Sequence, residues 1–192
     1  MAISRIANGS FAGRASRACN SSPSFTNHSE KIIHGKKYRP DMTAISIRQA
    51  QDKDATTVAS LVHALLDELS GGNAPELSEV TRSAKAVLPA ANVVAAIAWV
   101  EGEAVGVMTL NECAAIYAGG KFGEICELYV RPDMRSKGVA HQLVEHAQRE
   151  ARARGWTRIE VGAPRQPDWH RTLNFYLRNG FDEIGPRLRC LL

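Results

Sequence analysis

The chain has no apolar run long enough to cross a bilayer. Its longest stretch without a charge is Ala86 to Val100, fifteen residues broken by Pro89 and Asn92. A spanning helix needs about 20. Cysteine is scarce: Cys19, Cys113, Cys126 and Cys190 contain no C-x-x-C pair, which argues against a zinc finger or a redox dithiol. The thiols are read as reduced, in a cytoplasmic protein. His141 and His146 are five apart, a spacing that does not stack two ligands on one helix face, so no metal is expected. Two phosphate-binding patterns are missing. Neither G-x-x-x-x-G-K-[ST] nor G-x-G-x-x-G occurs, which sets aside a nucleotide-hydrolysing P-loop and a dinucleotide fingerprint.

What is present suits one soluble domain with a tail. The chain has 192 residues, 44% hydrophobic and 23% charged, enough to build a core without disulfides. The net charge of +4 is unevenly placed. Residues 1–40 hold seven Lys and Arg against the single acid Glu30, while residues 41–192 hold 17 basic and 19 acidic residues. The basicity belongs to the tail, and the near-neutral remainder lacks the basic face of a nucleic-acid binder. Residues 1–42 are rich in Ser, Arg and Asn and show no periodicity, so a disordered tail is expected there. A translation start at Met42 and an Arg- and Ser-rich transit peptide are the other readings of this stretch. The folded domain is expected over 43–192.

From Thr43 the pattern sharpens. Ala44–Arg48 alternates as a strand. A helix follows from Asp52 or Asp54 to about Leu69, ended by Gly71-Gly72. A second runs from Pro75 to about Leu88. Val93–Val100 and Ala104–Asn111 form a hairpin around Glu101-Gly102-Glu103, and Phe122–Val130 is a further strand. A helix spans about Gly138 to Arg154, with Val139, Ala140, Leu143, Val144, Ala147 and Ala151 on its inner stripe. Arg158–Val161 is a short strand. Asp168 to Asn179 is a helix closed by Gly180, and Phe181–Ile184 and Arg187–Leu191 are read as terminal strands. The order is an antiparallel run followed by α/β alternation.

Residues 127–147, ELYVRPDMRSKGVAHQLVEHA, carry the strongest chemical signal. They read as a strand, a polar turn and a helix start. In that turn Arg135, Ser136, Lys137, Gly138, Val139 and Ala140 can aim successive N–H groups into one concavity. The helix N-terminus adds positive potential, which makes a site for a phosphate or pyrophosphate. Gly138 puts no Cβ in the way of the anion.

The pattern R-x-x-G-x-A at Arg135, Gly138 and Ala140 resembles motif A of the GNAT acetyltransferases, which holds the pyrophosphate of acetyl-CoA. The final position is Ala140 where the family pattern allows Gly or Ala. NFYLRNGF, residues 174–181, resembles the end of the same family's motif B. The resemblance covers about residues 43–192. It implies a mixed α/β GNAT fold: a mostly antiparallel sheet of about six or seven strands with helices on both faces. It also implies acetyl-CoA as cosubstrate, with no metal.

Carried over residue by residue, the resemblance puts Leu128, Tyr129 and Val130 along the pantetheine arm, with main-chain contacts from Leu128 and Val130. Asn174 joins the cradle residues as a cofactor contact. Tyr176 is implied as the acid that protonates the leaving thiolate, and core packing is its other reading. Glu127 is the candidate base, with Glu124 and ordered water as rivals. Cys126 is read as a small buried filler. The expected reaction is direct acetyl transfer to a primary amine of a small molecule. A protein N-terminus or lysine is the alternative acceptor, and a non-catalytic acyl-CoA-binding module is the alternative class. The acceptor site is expected between the first two helices, the Gly71-Gly72 loop and the central hairpin. No nucleic-acid or membrane partner is expected, and a homodimer is left open.

Overall fold

The computed structural model describes residues 44–162, 169–185 and 190. The expected tail over 1–42 lies outside the described residues. So do Asp168, the expected cap of the last helix, and all but Cys190 of the expected strand Arg187–Leu191. The elements are β1 (Ser46–Gln49), α1 (Ala55–Ser70), α2 (Leu77–Val87), β2 (Val93–Val100) and β3 (Glu103–Ala115). They continue with β4 (Gly120–Val130), α3 (Val139–Ala153), β5 (Ile159–Val161) and α4 (His170–Arg178). The strands lie side by side in chain order, antiparallel from β1 to β4, and β5 joins β4 in parallel.

Small and branched residues let helices approach both faces of this sheet. Along β2, Val94, Ala96 and Ala98 turn to one face with Met108 of β3 and pack against Val139, Leu143 and Ala147 of α3. Ala95 and Ile97 turn to the other face and meet Val58 and Leu61 of α1. Such period-2 sorting of an apolar strand buries both faces at once. The helices anchor through one apolar stripe each.

Two glycines permit close packing. A Cβ on Gly106 would lie 2.9 Å from the Tyr129 carbonyl oxygen and 3.2 Å from Val139 Cγ1. A Cβ on Gly123 would lie 2.5 Å from the Trp156 ring, whose Nε1 donates to Glu112 Oε2 at 3.0 Å. The buried indole therefore has little freedom to retreat. Gly123→Ala is expected to lower stability by about 1–3 kcal/mol, the usual cost of overpacking. Urea unfolding checks this, and an unchanged midpoint would contradict it.

The described sheet has five strands where about six or seven were expected. Phe181–Ile184 is not a strand. The Phe181 N–H is bonded to the Tyr176 carbonyl across Gly180, whose φ is +83°, and the Phe181 ring packs on Tyr176 at 5.3 Å between centroids. A residue held in a helix C-cap has lost the donor and the side-chain freedom a ladder needs. No helix among the described residues is long and apolar enough to cross a membrane.

Candidate active site

Strand β4 positions the site through two irregularities. The first is a bulge. Leu110 pairs with Ile125 and Thr109 with Glu127, so Cys126 has no opposite number on β3. Ile125 faces α3, and in a regular strand Glu127, two residues on, would share that face. The bulge reverses the alternation. Glu127 turns instead to the α1 face, and Leu128 and Val130 take over the α3 face. The second is a parting of strands. β5 pairs with β4 only over Gly123–Ile125, so from Cys126 to Val130 one edge of β4 has no strand beside it among the described residues.

Glu127 lines an open cavity of about 500 Å³ formed by α1, α2, the loop from α2 into β2, β3 and β4. Thr109, itself buried, donates its hydroxyl to Glu127 Oε2 and accepts the Glu127 N–H at 3.2 Å. Burial pushes the Glu127 carboxyl above the usual carboxylate range, because desolvation penalises the charged form. A carboxylate so shifted is a better proton acceptor near neutral pH than an exposed one. Glu124, its rival, does not line the cavity. Cys126 is exposed and lines the cavity, which corrects its reading as a buried filler. Gly71 and Gly72 do not line it.

The polar turn leads into α3 as its sequence implies. Ser136 has φ +62° and Gly138, the residue before the helix, φ +87°. The backbone N–H groups of Ser136 through Ala140 have no protein acceptor among the described residues. Helix-start donors in this state, beside a left-handed glycine, form a concavity suited to an anion. Val139 is buried and the half-buried Ala140 packs on the core, so these two contribute backbone here.

Arg135 is turned away from that concavity. Its Nε donates to the Val130 carbonyl at 3.0 Å, its two terminal nitrogens hold the Glu68 carboxylate, and it lies over the Tyr129 ring. Lys137 is exposed, with Nζ 3.8 Å from Met134 Sδ. It carries the formal charge at the turn. The Tyr129 side chain is buried against α1, and burial pushes its phenol up. Tyr129 can meet a ligand through its backbone.

Tyr176 sits on α4, 6% exposed, in the cluster on the α3 face. Phe175 and Phe181 meet its ring edge-on, each at 5.3 Å. Burial raises its phenol well above the ordinary value. Asn174 is exposed on the same helix. Asn179 ties α4 to α3: its Oδ1 lies 2.6 Å from His141 Nδ1, and its Nδ2 donates to the Phe175 carbonyl at 2.7 Å. Glu127 and Tyr176 therefore lie on opposite faces of the sheet.

Sequence reasoning missed Thr109, Glu68 and Asn179, the three residues that hold Glu127, Arg135 and α4. Only Asn179 left a local trace, as the Asn-Gly pair that ends a helix.

Residues 59–181 match the sequence profile of the Acetyltransferase (GNAT) family. The chain belongs to the GNAT acetyltransferase family. One relative, the aminoalkylphosphonate N-acetyltransferase of Salmonella typhimurium, is 31% identical over 143 residues, 74% of this chain and 88% of the relative. Solved structures agree on the fold. The ribosomal-protein-alanine N-acetyltransferase of Brucella melitensis superposes with a TM-score of 0.59 at 24% identity, covering 77% of this chain and 100% of the other. An aminoglycoside acetyltransferase from an uncultured soil metagenomic sample, in complex with sisomicin, gives 0.61 at 16% identity, covering 77% and 96%. In this GNAT chain the turn before α3 falls at the position of the R-x-x-G-x-A motif.

Proposed function

We propose that this GNAT protein moves an acetyl group from acetyl-CoA to the primary amine of a small molecule by direct transfer. The observation that carries the reading is Glu127, a carboxylate raised by burial, in the wall of a cavity beside the open edge of β4. A cavity of about 500 Å³ lies in the range of small-molecule sites, roughly 300–1,000 Å³. The activity of the Salmonella relative on an aminoalkylphosphonate supports a small acceptor.

Acetyl-CoA, when bound, supplies the acetyl group as an activated thioester. The residues of this chain do the rest. The backbone N–H groups from Ser136 to Ala140 hold the pyrophosphate, and Lys137 adds charge. The edge of β4 over Leu128, Tyr129 and Val130 offers main-chain groups to the pantetheine arm. Asn174 contributes a polar contact from α4. An amine of pKa about 10.4 is protonated at neutral pH, so Glu127 removes a proton, directly or through water, before the nitrogen attacks. As the C–N bond forms the nitrogen gives its second proton to solvent, and as the C–S bond breaks Tyr176 donates its proton to sulfur and is reprotonated from solvent. Like any phenol, it holds that proton at neutral pH; burial penalises the phenolate left behind, so reprotonation from solvent must accompany the transfer.

A panel of primary amines incubated with acetyl-CoA and the purified protein, read by release of free thiol, tests the reading. Thiol release that depends on the amine is expected. A chain that binds acetyl-CoA but releases no thiol with any amine would be a binding module instead. The Gly138 cradle has its own test. Gly138→Val forces a β-branched residue to φ +87°, where it cannot stay without strain. The turn must move, and acetyl-CoA affinity is expected to fall at least tenfold in calorimetry. Unchanged affinity in the folded variant would remove the turn from the pyrophosphate site.

A further inference from the structure

Resting on the acetyl-transfer reading, we infer that the acceptor is a primary amine with an apolar tail and no anionic group. The cavity lining assigns this class. Among the described residues Glu127 is the one charged side chain on its wall. Val58 and Val62 of α1 and Val80 and Val87 of α2 line it from the helix side, where Ser83 is the one polar side chain, with Leu110 of β3 opposite. The other hydroxyl and amide groups lie on the sheet side: Thr109, Asn92 and Asn111, the last two joined by a hydrogen bond of 2.7 Å. The basic residues of α2, Arg82 and Lys85, are exposed and lie off the cavity.

This division fits one ligand shape. The amine end meets Glu127, whose negative charge complements an ammonium ion and then accepts its proton. The remainder of the ligand lies against the valines and gains by leaving water. A phosphonate or carboxylate on that remainder finds no cation to pair with. It would be desolvated close to the Glu127 carboxylate, which is unfavourable on both counts. The class differs from the aminoalkylphosphonate named for the Salmonella relative. The comparison between the two classes reads the inference.

The experiment measures kcat/KM for acetyl-CoA-dependent acetylation by thiol release. The acceptors are n-alkylamines from ethyl to hexyl, 2-phenylethylamine, 2-aminoethylphosphonate and β-alanine. Each added methylene that the cavity buries is expected to raise kcat/KM about fourfold, until the wall is reached. The two anionic amines are expected at least about 100-fold below the alkylamine of matched length. Val87 is exposed at the mouth, so Val87→Arg can add a cation without disturbing the core. That variant is expected to narrow the gap at least tenfold.

Preference for 2-aminoethylphosphonate or β-alanine over the matched alkylamine would overturn the apolar-amine inference and leave the acetyl-transfer reading intact. A flat response to chain length would also overturn it. Silence with every amine, including a lysine peptide, would overturn both. Turnover of the peptide with silence from every small amine would move the acceptor to protein and overturn the inference.

Discussion

Tyr176→Phe is expected to lower kcat by about 10²–10⁴-fold, the usual contribution of a general acid, with acetyl-CoA affinity nearly unchanged. The variant keeps the ring, so the edge contacts to Phe175 and Phe181 survive. Only the hydroxyl is lost. Two roles for Tyr176 then separate cleanly. A proton donor shows its loss in turnover. A core residue shows it in stability, as a modest drop in the unfolding midpoint with normal turnover in the folded fraction. Steady-state kinetics with a reactive alkylamine, beside urea unfolding, decides between them. Near-normal kcat would take Tyr176 out of the mechanism.

Glu127→Gln is the second large effect. The amide accepts the Thr109 hydroxyl as the carboxylate does but cannot take a proton, so a loss of about 10²–10⁴-fold in kcat/KM is expected. The pH profile sharpens the test. Burial raises the Glu127 carboxyl, so kcat/KM of the parent should fall on the acid side with a midpoint above the ordinary carboxylate value. That limb should vanish in the Gln variant. Stability moves the opposite way. A carboxyl whose folded pKa is raised contributes stability below its unfolded pKa and loses it as pH rises through the folded one. At neutral pH the parent therefore carries the cost of an ionised, desolvated carboxylate. Glu127→Gln is expected to be no less stable than the parent there, and relatively less so in acid. A variant that unfolds more easily at neutral pH, or retains the acid limb, would contradict the assignment of Glu127.

The parts of the site that were legible in the sequence are those made by consecutive residues. The turn Arg135–Ala140 is one. A positive φ at Gly138 and a run of N–H groups at a helix start follow from local backbone sterics, so a few residues suffice to announce them. Tyr176 is another, since its place on α4 follows from helical spacing and the Gly180 stop. The two terminal strands were misjudged or lay beyond the described residues, and for Phe181 the reason is tertiary: its ring is held by Tyr176 and its N–H by the helix end.

By itself, the sequence determined the element order through β5 and α4, the polar turn before α3 and the family, because periodicity, caps and glycine turns are local properties. Tertiary structure alone decided the chemistry of Glu127. The bulge at Cys126 chooses which face Glu127 takes, Thr109 from eighteen residues away holds it, and α1 and α2 wall off the water that would otherwise keep its pKa ordinary. The same is true of Arg135, whose charge reads as free in the motif but is bound to Glu68 at the far end of α1. Desolvation and ion pairing depend on which distant segments meet, and no window of neighbouring residues contains that information.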